Sequence, residues 1–279
     1  MRRLSVLALS LAAFATCVMP AAAQDVPARI KQAGKIVIAT MPNYAPITFK
    51  DPATDKLAGF DIELGEAIAK ELGLKAEWQE IAFAQMLPSM QTGRVDTVLA
   101  GMSDLPTRRE TADFVDYMKS GAQFFTLQSL AGSIKTPEDL CGKSVGASRS
   151  TNWPRQIEEW SQANCVAKGK PAITAVGTEG SVDARTQLKT GRIQAAVQGN
   201  ETLPWFQKLE PNTYFVLGQA FTQSLAGMPF PKTPEGEQLR KAVKGAIERL
   251  ITKGEYAKIL ANYGLQANNV GRVSENEGK

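Results

Sequence analysis

The chain has 279 residues, a formal net charge of +4 and no histidine. Without imidazole, Ser-His-Asp and Cys-His nucleophilic chemistry is excluded, and a zinc site is disfavoured. There is no long basic run, and a balance this close to neutral argues against nucleic acid as a partner.

Residues 1–23 read as a cleavable export signal. Arg2 and Arg3 form its basic start, Leu4 to Val18 its apolar stretch, and Ala21-Ala22-Ala23 a small-residue cleavage site before Gln24. The apolar run falls short of the ~18 residues that a membrane span needs. Arg2-Arg3 is also the ordinary opening of a general secretion signal, and Thr16 is larger than the residue that precedes a lipidated cysteine. Cleavage would remove two arginines and no acid, leaving 256 residues at net charge +2, enough for one large or two smaller cores. Two cysteines remain, Cys141 and Cys165, 24 positions apart. In an exported chain an even count reads as a disulfide, with two buried free thiols as the alternative.

The mature part alternates strand-like and helix-like runs, the pattern of an α/β fold. Lys35 to Ala39 predicts a strand. Residues 61–72 predict a helix with Ile62, Leu64, Ala67, Ile68 and Leu72 on one stripe, stopped by Gly73. Ala76–Ile81 reads as strand, Ala84–Thr92 as a helix weakened by Pro88, and Thr97–Ala100 as strand. The same order then returns. Ser144–Ala147 is a strand, Pro154–Ala163 a helix N-capped by Asn152, Ile173–Val176 a strand, Val182–Thr190 a helix and Ala195–Gln198 a strand. Gln91-Thr92-Gly93-Arg94-Val95-Asp96 echoes Lys189-Thr190-Gly191-Arg192-Ile193-Gln194, each an exit from helix into buried strand. Two units with one rhythm suggest two lobes. Past residue 225, Leu239, Ala242, Val243, Ala246, Ile247, Leu250 and Ile251 define an amphipathic helix ended by Gly254, and Tyr256–Tyr263 makes a shorter one. The last dozen residues lack apolar periodicity and are expected to fray.

Gly59-Phe60-Asp61-Ile62-Glu63-Leu64-Gly65-Glu66-Ala67-Ile68-Ala69-Lys70-Glu71-Leu72 resembles the signature helix of family 3 extracellular solute-binding proteins, the capture subunits of amino-acid ABC importers. Ile36 to Pro46 resembles that family's first strand and aromatic loop. Gly101-Met102-Ser103-Asp104-Leu105-Pro106-Thr107-Arg108, followed by Asp113-Phe114, resembles its ligand-anchor loop, and Gly254 to Gly264 its closing helix. The resemblance implies a type II periplasmic binding protein: two lobes, two crossover hinge segments near Lys119–Gly121 and Thr222–Leu225, and a ligand cleft between. Residues 24–119 with 223–279 then form one lobe and 120–222 the other, and closure of the hinge captures the solute. It further implies a periplasmic monomer without cofactor or metal, working with a membrane permease. Leu140-Cys141-Gly142-Lys143 and Asn164-Cys165 resemble a branch of the family in which these cysteines bridge within the second lobe.

A guanidinium offers a planar fork that matches a carboxylate bidentately and stays charged, which makes Arg108 the expected anchor. On the resemblance, the Ser103 hydroxyl, the Gly101 backbone and Thr151 join it at the carboxylate, and Tyr44 and Phe83 flank the ligand side chain. Thr151 also precedes a predicted helix, where free N–H groups favour anions and where simple capping is the alternative role. Two departures bear on the ligand. Gly199 and Met41 stand where relatives carry acids that pair with a ligand ammonium. Glu201 is then the nearest replacement, or else the ligand carries a carboxylate and no primary ammonium, or is an amide held by Gln198 and Asn200. Two competing functions remain: a cyclohexadienyl dehydratase-like enzyme using Glu80 or Glu201 as acid, and a sensing module acting through a separate membrane receptor.

Overall fold

The computed structural model describes residues 26–279, so the export signal assigned to residues 1–23 lies outside the described residues. Lys35–Thr40 runs between two parallel neighbours, Lys75–Glu80 and Thr97–Val98. Ile36 and Ile38 are fully buried, and the helix Phe60–Glu71 lays Phe60, Leu64 and Ile68 into the same core. The long helix Pro234–Thr252 contributes Leu239, Val243, Ile247 and Leu250 from the far end of the chain. Its start is capped by Thr233, whose side chain accepts from the Gly236 N–H at 3.1 Å, with Pro234 in the first turn.

A second core belongs to the middle of the chain. Five strands lie in the order Thr174–Thr178, Ser144–Ser148, Ala195–Gly199, Ala122–Leu127 and Tyr214–Leu217. The first three are parallel and the last two join antiparallel. One face buries Phe124, Val145, Ile157, Val197 and Leu217, and the other Phe125, Leu188, Ile193 and Phe206. The molecule is therefore a two-lobed α/β protein.

The chain passes between the cores twice, side by side. Strand Ala112–Ser120 continues through Gly121 into Ala122–Leu127, and the return strand Ser224–Pro231 pairs antiparallel with it, Ser224 opposite Ser120. The Phe221 N–H donates to Ala122 O and the Ala122 N–H to Thr222 Oγ1, both at 2.8 Å. A Cβ on Gly121 would sit 2.3 Å from the Thr222 carbonyl, so glycine is what lets the two passages touch. The outgoing strand escapes a pattern reading because Asp113 and Asp116 interrupt its apolar sequence, although Asp116 is fully buried, and the return strand because Gly227, Pro229 and Pro231 break its strand pattern.

The other predicted elements form, with ends moved by a few residues. Pro88 sits inside an unbroken helix Phe83–Gln91, and the strand at Thr97 stops at Val98. The helix after Asn152 spans Trp153–Asn164, but Asn152 makes no side-chain cap; Thr151 Oγ1 instead accepts from the Trp153 N–H at 3.3 Å. The expectation that the last dozen residues fray is overturned. Ser274–Glu275 pairs antiparallel with residues 115–116, Ser274 Oγ donates to Asp116 Oδ2 at 2.9 Å, and Glu275 forms an ion pair with Arg240. Polar groups fix this segment, and apolar periodicity is blind to them.

Cys141 and Cys165 are joined by a disulfide, their Cα atoms 5.5 Å apart. It ties the turn after Pro137–Leu140 to the end of helix Trp153–Asn164, with Cys165 buried in the second core. Closing a loop of 24 residues stabilises by roughly 3 kcal/mol in the chain-entropy model. The Cys141→Ser/Cys165→Ser double variant is expected to lose about that much in urea denaturation. Equal unfolding midpoints for the double variant and the unreduced protein would contradict this.

Candidate ligand-binding site

A cavity of about 140 Å³ lies between the cores. Met41, Asn43, Tyr44, Ala82 to Ala84, Ala100, Gly101, Ser103 and Arg108 line it from one side. Ser148, Ser150 to Trp153 and Glu179 to Ser181 line it from the other. Helices Phe83–Gln91, Trp153–Asn164 and Ser181–Lys189 all begin at this wall. Their first turns point N–H groups and positive dipole ends toward the cavity, which favours a negatively charged group inside.

Arg108 and Arg109 share the short helix Pro106–Arg109 but face opposite ways. Arg108 lines the cavity. Its Nη1 donates to Ser103 O at 2.7 Å, and its guanidinium carbon lies 5.4 Å from the Phe83 ring centre. It makes no ion pair among the described residues, and burial lowers its pKa to about 10. Arg109 instead packs against the Asp104 carboxylate at 3.4 Å.

Gly101 takes φ +59°, and a Cβ there would come within 3.0 Å of the Tyr44 ring. Its N–H donates to Asp61 Oδ2 at 2.8 Å, and Tyr117 Oη donates to the same oxygen at 2.9 Å. Asp61 is fully buried at the start of helix Phe60–Glu71, so it joins that helix, the cavity floor and the hinge strand. Burial pushes its carboxyl up to about 7, against the two hydrogen bonds that favour the charged form. Sequence reading passed over Asp61 as part of a motif. Its only signal was an acid on an otherwise buried helix face.

Of the residues expected at the site, Arg108, Ser103, Gly101, Thr151, Tyr44 and Phe83 meet on the cavity wall. Thr151 Oγ1 donates to Ser148 O at 2.7 Å as well as accepting from Trp153, so its hydroxyl is engaged in the helix start. Gln198, Asn200 and Glu201 lie off the wall. Gln198 is fully buried with neither amide atom hydrogen-bonded, and Asn200 Oδ1 likewise has no partner. Glu201 is buried and accepts from Tyr44 Oη at 2.6 Å and from Ser120 Oγ at 2.8 Å. Burial raises its pKa.

The reason for Gly199 is visible in the same place. A Cβ at Gly199 would fall 2.1 Å from Glu201 Oε1 and 2.3 Å from Tyr44 Oη. The Glu201 carboxylate thus occupies the space that a side chain at position 199 would need, and it bonds to Tyr44 across the cleft. Sequence reading also missed Trp153, whose ring centre stands 6.1 Å from that of Tyr44, and Glu179, an exposed acid at the wall paired with Arg149 at 3.0 Å. The tryptophan's signal was its position beside Thr151. Glu179 had no pattern to mark it.

Two lobes with a cation-bearing cavity in the cleft between them are the architecture of the type II periplasmic binding proteins. The description "Bacterial extracellular solute-binding proteins, family 3" fits residues 36–266. The arginine-binding protein ArgT of Corynebacterium glutamicum is 30% identical over 241 residues, covering 86% of this chain and 78% of its own. The L-cystine-binding protein TcyJ of Escherichia coli is 30% identical over 230 residues, covering 81% of each. A solved ancestral arginine-binding protein bound to arginine has a TM-score of 0.73 at 29% identity, covering 82% of this chain and 98% of that one. A solved ancestral amino acid-binding protein, a precursor of cyclohexadienyl dehydratase, gives 0.74 at 26% identity, covering 84% and 97%. The chain belongs to family 3 of the bacterial extracellular solute-binding proteins.

Asp61 titrates near 7 when folded and near 3.8 as an ordinary carboxyl. Between those values the folded state holds the extra proton, so this group's contribution to stability falls as pH rises and levels off above pH 7. The unfolding free energy of wild type minus that of Asp61→Asn is therefore expected to decline from pH 4 to pH 7, measured by urea titration at each pH. A difference that stays constant or rises would show that the carboxyl is not held protonated.

Proposed function

We propose that this protein is the periplasmic capture subunit of an ABC importer and that it takes up an amino acid or a related small carboxylate by lobe closure. The observation that carries the reading is Arg108: a guanidinium at a partly buried wall, its pKa lowered by desolvation against the weaker pull of Asp104, and with no ion pair among the described residues. Leaving such a charge unpaired is costly, and a ligand carboxylate supplies the missing partner. Ser103 and Gly101 stand beside it, and the N-terminal end of helix Trp153–Asn164 faces it from the second lobe. Phe83, Tyr44 and Trp153 supply flat apolar walls for the rest of the solute.

In this reading residues 24–119 with 223–279 form one lobe and 120–222 the other, the protein acts as a monomer, and its closed form docks on a membrane permease. The names of the relatives support amino-acid ligands, among them arginine and cystine. A ligand ammonium would face the aromatic rings and Glu179, since Glu201 is held by Tyr44 and Ser120. The dehydratase-like alternative needs an acid positioned in the cleft. Glu201 lies behind Tyr44, and Glu80 pairs with Lys50 at 3.0 Å away from the cavity wall. Both observations favour binding without turnover.

Ligand-stripped mature protein should be screened by thermal shift against amino acids, their amides and simple organic acids, with prephenate and arogenate followed for turnover. A ligand at about 100-fold its Kd adds about 2.7 kcal/mol of stability. Arg108→Ala is expected to weaken binding of the best hit by roughly 100-fold or more while leaving the unliganded melting curve in place. Wild-type affinity in that variant would falsify the anchor assignment, and turnover of either dehydratase substrate would replace binding with catalysis.

A further inference from the structure

The residues after the closing helix carry an arrangement that solute capture does not by itself call for. Arg109, next to the anchor Arg108, turns away from the cavity into a buried polar seam. Its Nη2 donates to Gly278 O at 2.8 Å and its Nη1 to Asn276 O, while its Nε lies 3.4 Å from Asp104 Oδ1. Asp104 is fully buried and accepts from the Gly278 N–H at 2.7 Å. Behind it, Asp116 is also fully buried and accepts from Ser274 Oγ at 2.9 Å and from the Glu277 N–H at 3.1 Å. The Phe114 N–H donates to Asn276 Oδ1 at 2.8 Å.

The fit at the end of this seam admits one residue type. A Cβ on Gly278 would lie 2.1 Å from the Asp104 carbonyl oxygen and 2.6 Å from its Cβ, so any side chain there forces the two segments apart. The same Asp104 backbone is stitched to the return hinge strand, its N–H donating to Leu225 O at 2.8 Å, and the Gly227 N–H donates to Met102 O at 2.9 Å. The loop carrying Ser103 and Arg108 is therefore clamped between the hinge strand on one side and residues 274–278 on the other.

We infer that residues 274–278 form a brace that sets the ligand-anchoring loop, with Arg109 as its positioning residue. The inference rests on the reading that Arg108 holds the ligand carboxylate. Lifting the brace takes from Asp104 the Gly278 N–H, from Asp116 the Ser274 hydroxyl and the Glu277 N–H, and from Arg109 its two carbonyl acceptors, leaving Arg109 and Asp104 only each other. Groups so exposed to loss of partners drive local rearrangement. The loop then gives up the fixed geometry that lets a planar fork meet a carboxylate at low entropic cost.

Gly278→Val and Asn276→Ala test this in the full mature protein. Amide hydrogen exchange is followed without ligand, and binding of L-arginine and L-cystine is measured by calorimetry. In both variants the Asp104 and Gly227 amides are expected to exchange at least about tenfold faster, those of Ser144–Ser148 are expected to stay unchanged, and affinity for whichever probe binds is expected to fall about tenfold. Wild-type exchange at Asp104 and Gly227 overturns the brace, whatever the probes do. Faster exchange with unchanged affinity overturns its link to the ligand. If Gly278→Val also speeds exchange in Ser144–Ser148, the fold as a whole has loosened, and Asn276→Ala, which introduces no clash, decides for or against the brace. Arg108→Ala is run beside them. Wild-type binding in Arg108→Ala removes the anchor reading and with it the link to the ligand, and the exchange data still judge the brace.

Discussion

Moving a guanidinium from water toward a low-dielectric wall costs free energy that a nearby acid normally offsets. Arg108 forms no ion pair among the described residues: Asp104 acts on it coulombically but is itself paired with Arg109, which leaves the Ser103 carbonyl and the face of Phe83 as its contacts. Three helix starts add positive potential to the same wall. The cavity is thus electrostatically incomplete without an anion, and the rest of the architecture is arranged around that deficit. The two cores hold its opposite walls, the paired hinge strands set their separation, and Asp61 pins Gly101 on its floor. Incompleteness of this kind is how a binding protein makes its closed state depend on the solute.

The lobes already touch through the Tyr44–Glu201 hydrogen bond and the Tyr44–Trp153 ring contact. The Glu201 carboxylate fills the space above Gly199. There it meets Tyr44 and the hinge hydroxyl of Ser120, so the acid serves the join between lobes and stands behind the cavity wall. One tyrosine consequently does two things: its ring lines the cavity and its hydroxyl reaches the other lobe. Cavity lining and lobe contact thus meet in one side chain.

Buried acids recur along the structure that carries the hinge. Asp61 reaches Tyr117 on the outgoing strand, Asp116 lies on that strand, and Asp104 bonds the return strand through its backbone. Each is fully buried, and each is met by backbone N–H groups, hydroxyls or an arginine. Such networks hold a unique geometry because any shift leaves a desolvated carboxylate short of partners.

Much of this molecule is legible in its one-dimensional order. The strand–helix rhythm, the stripe through Leu64 and Ile68, the long helix after Thr233 and the fork at Arg108 are local signals, set by periodicity and by the chemistry of single side chains. Six of the nine expected site residues meet around one cavity because the motifs that carry them end strands or begin helices at the cleft. Only the tertiary structure decided the remainder. Whether Arg108 or Arg109 faces the cavity, why position 199 must be glycine, and that residues 274–278 are docked all depend on atoms more than a hundred positions apart or on packing behind the wall. A sequence reports what each residue offers. Which offers are accepted is settled by distance and burial, and those arise only when the chain has closed on itself.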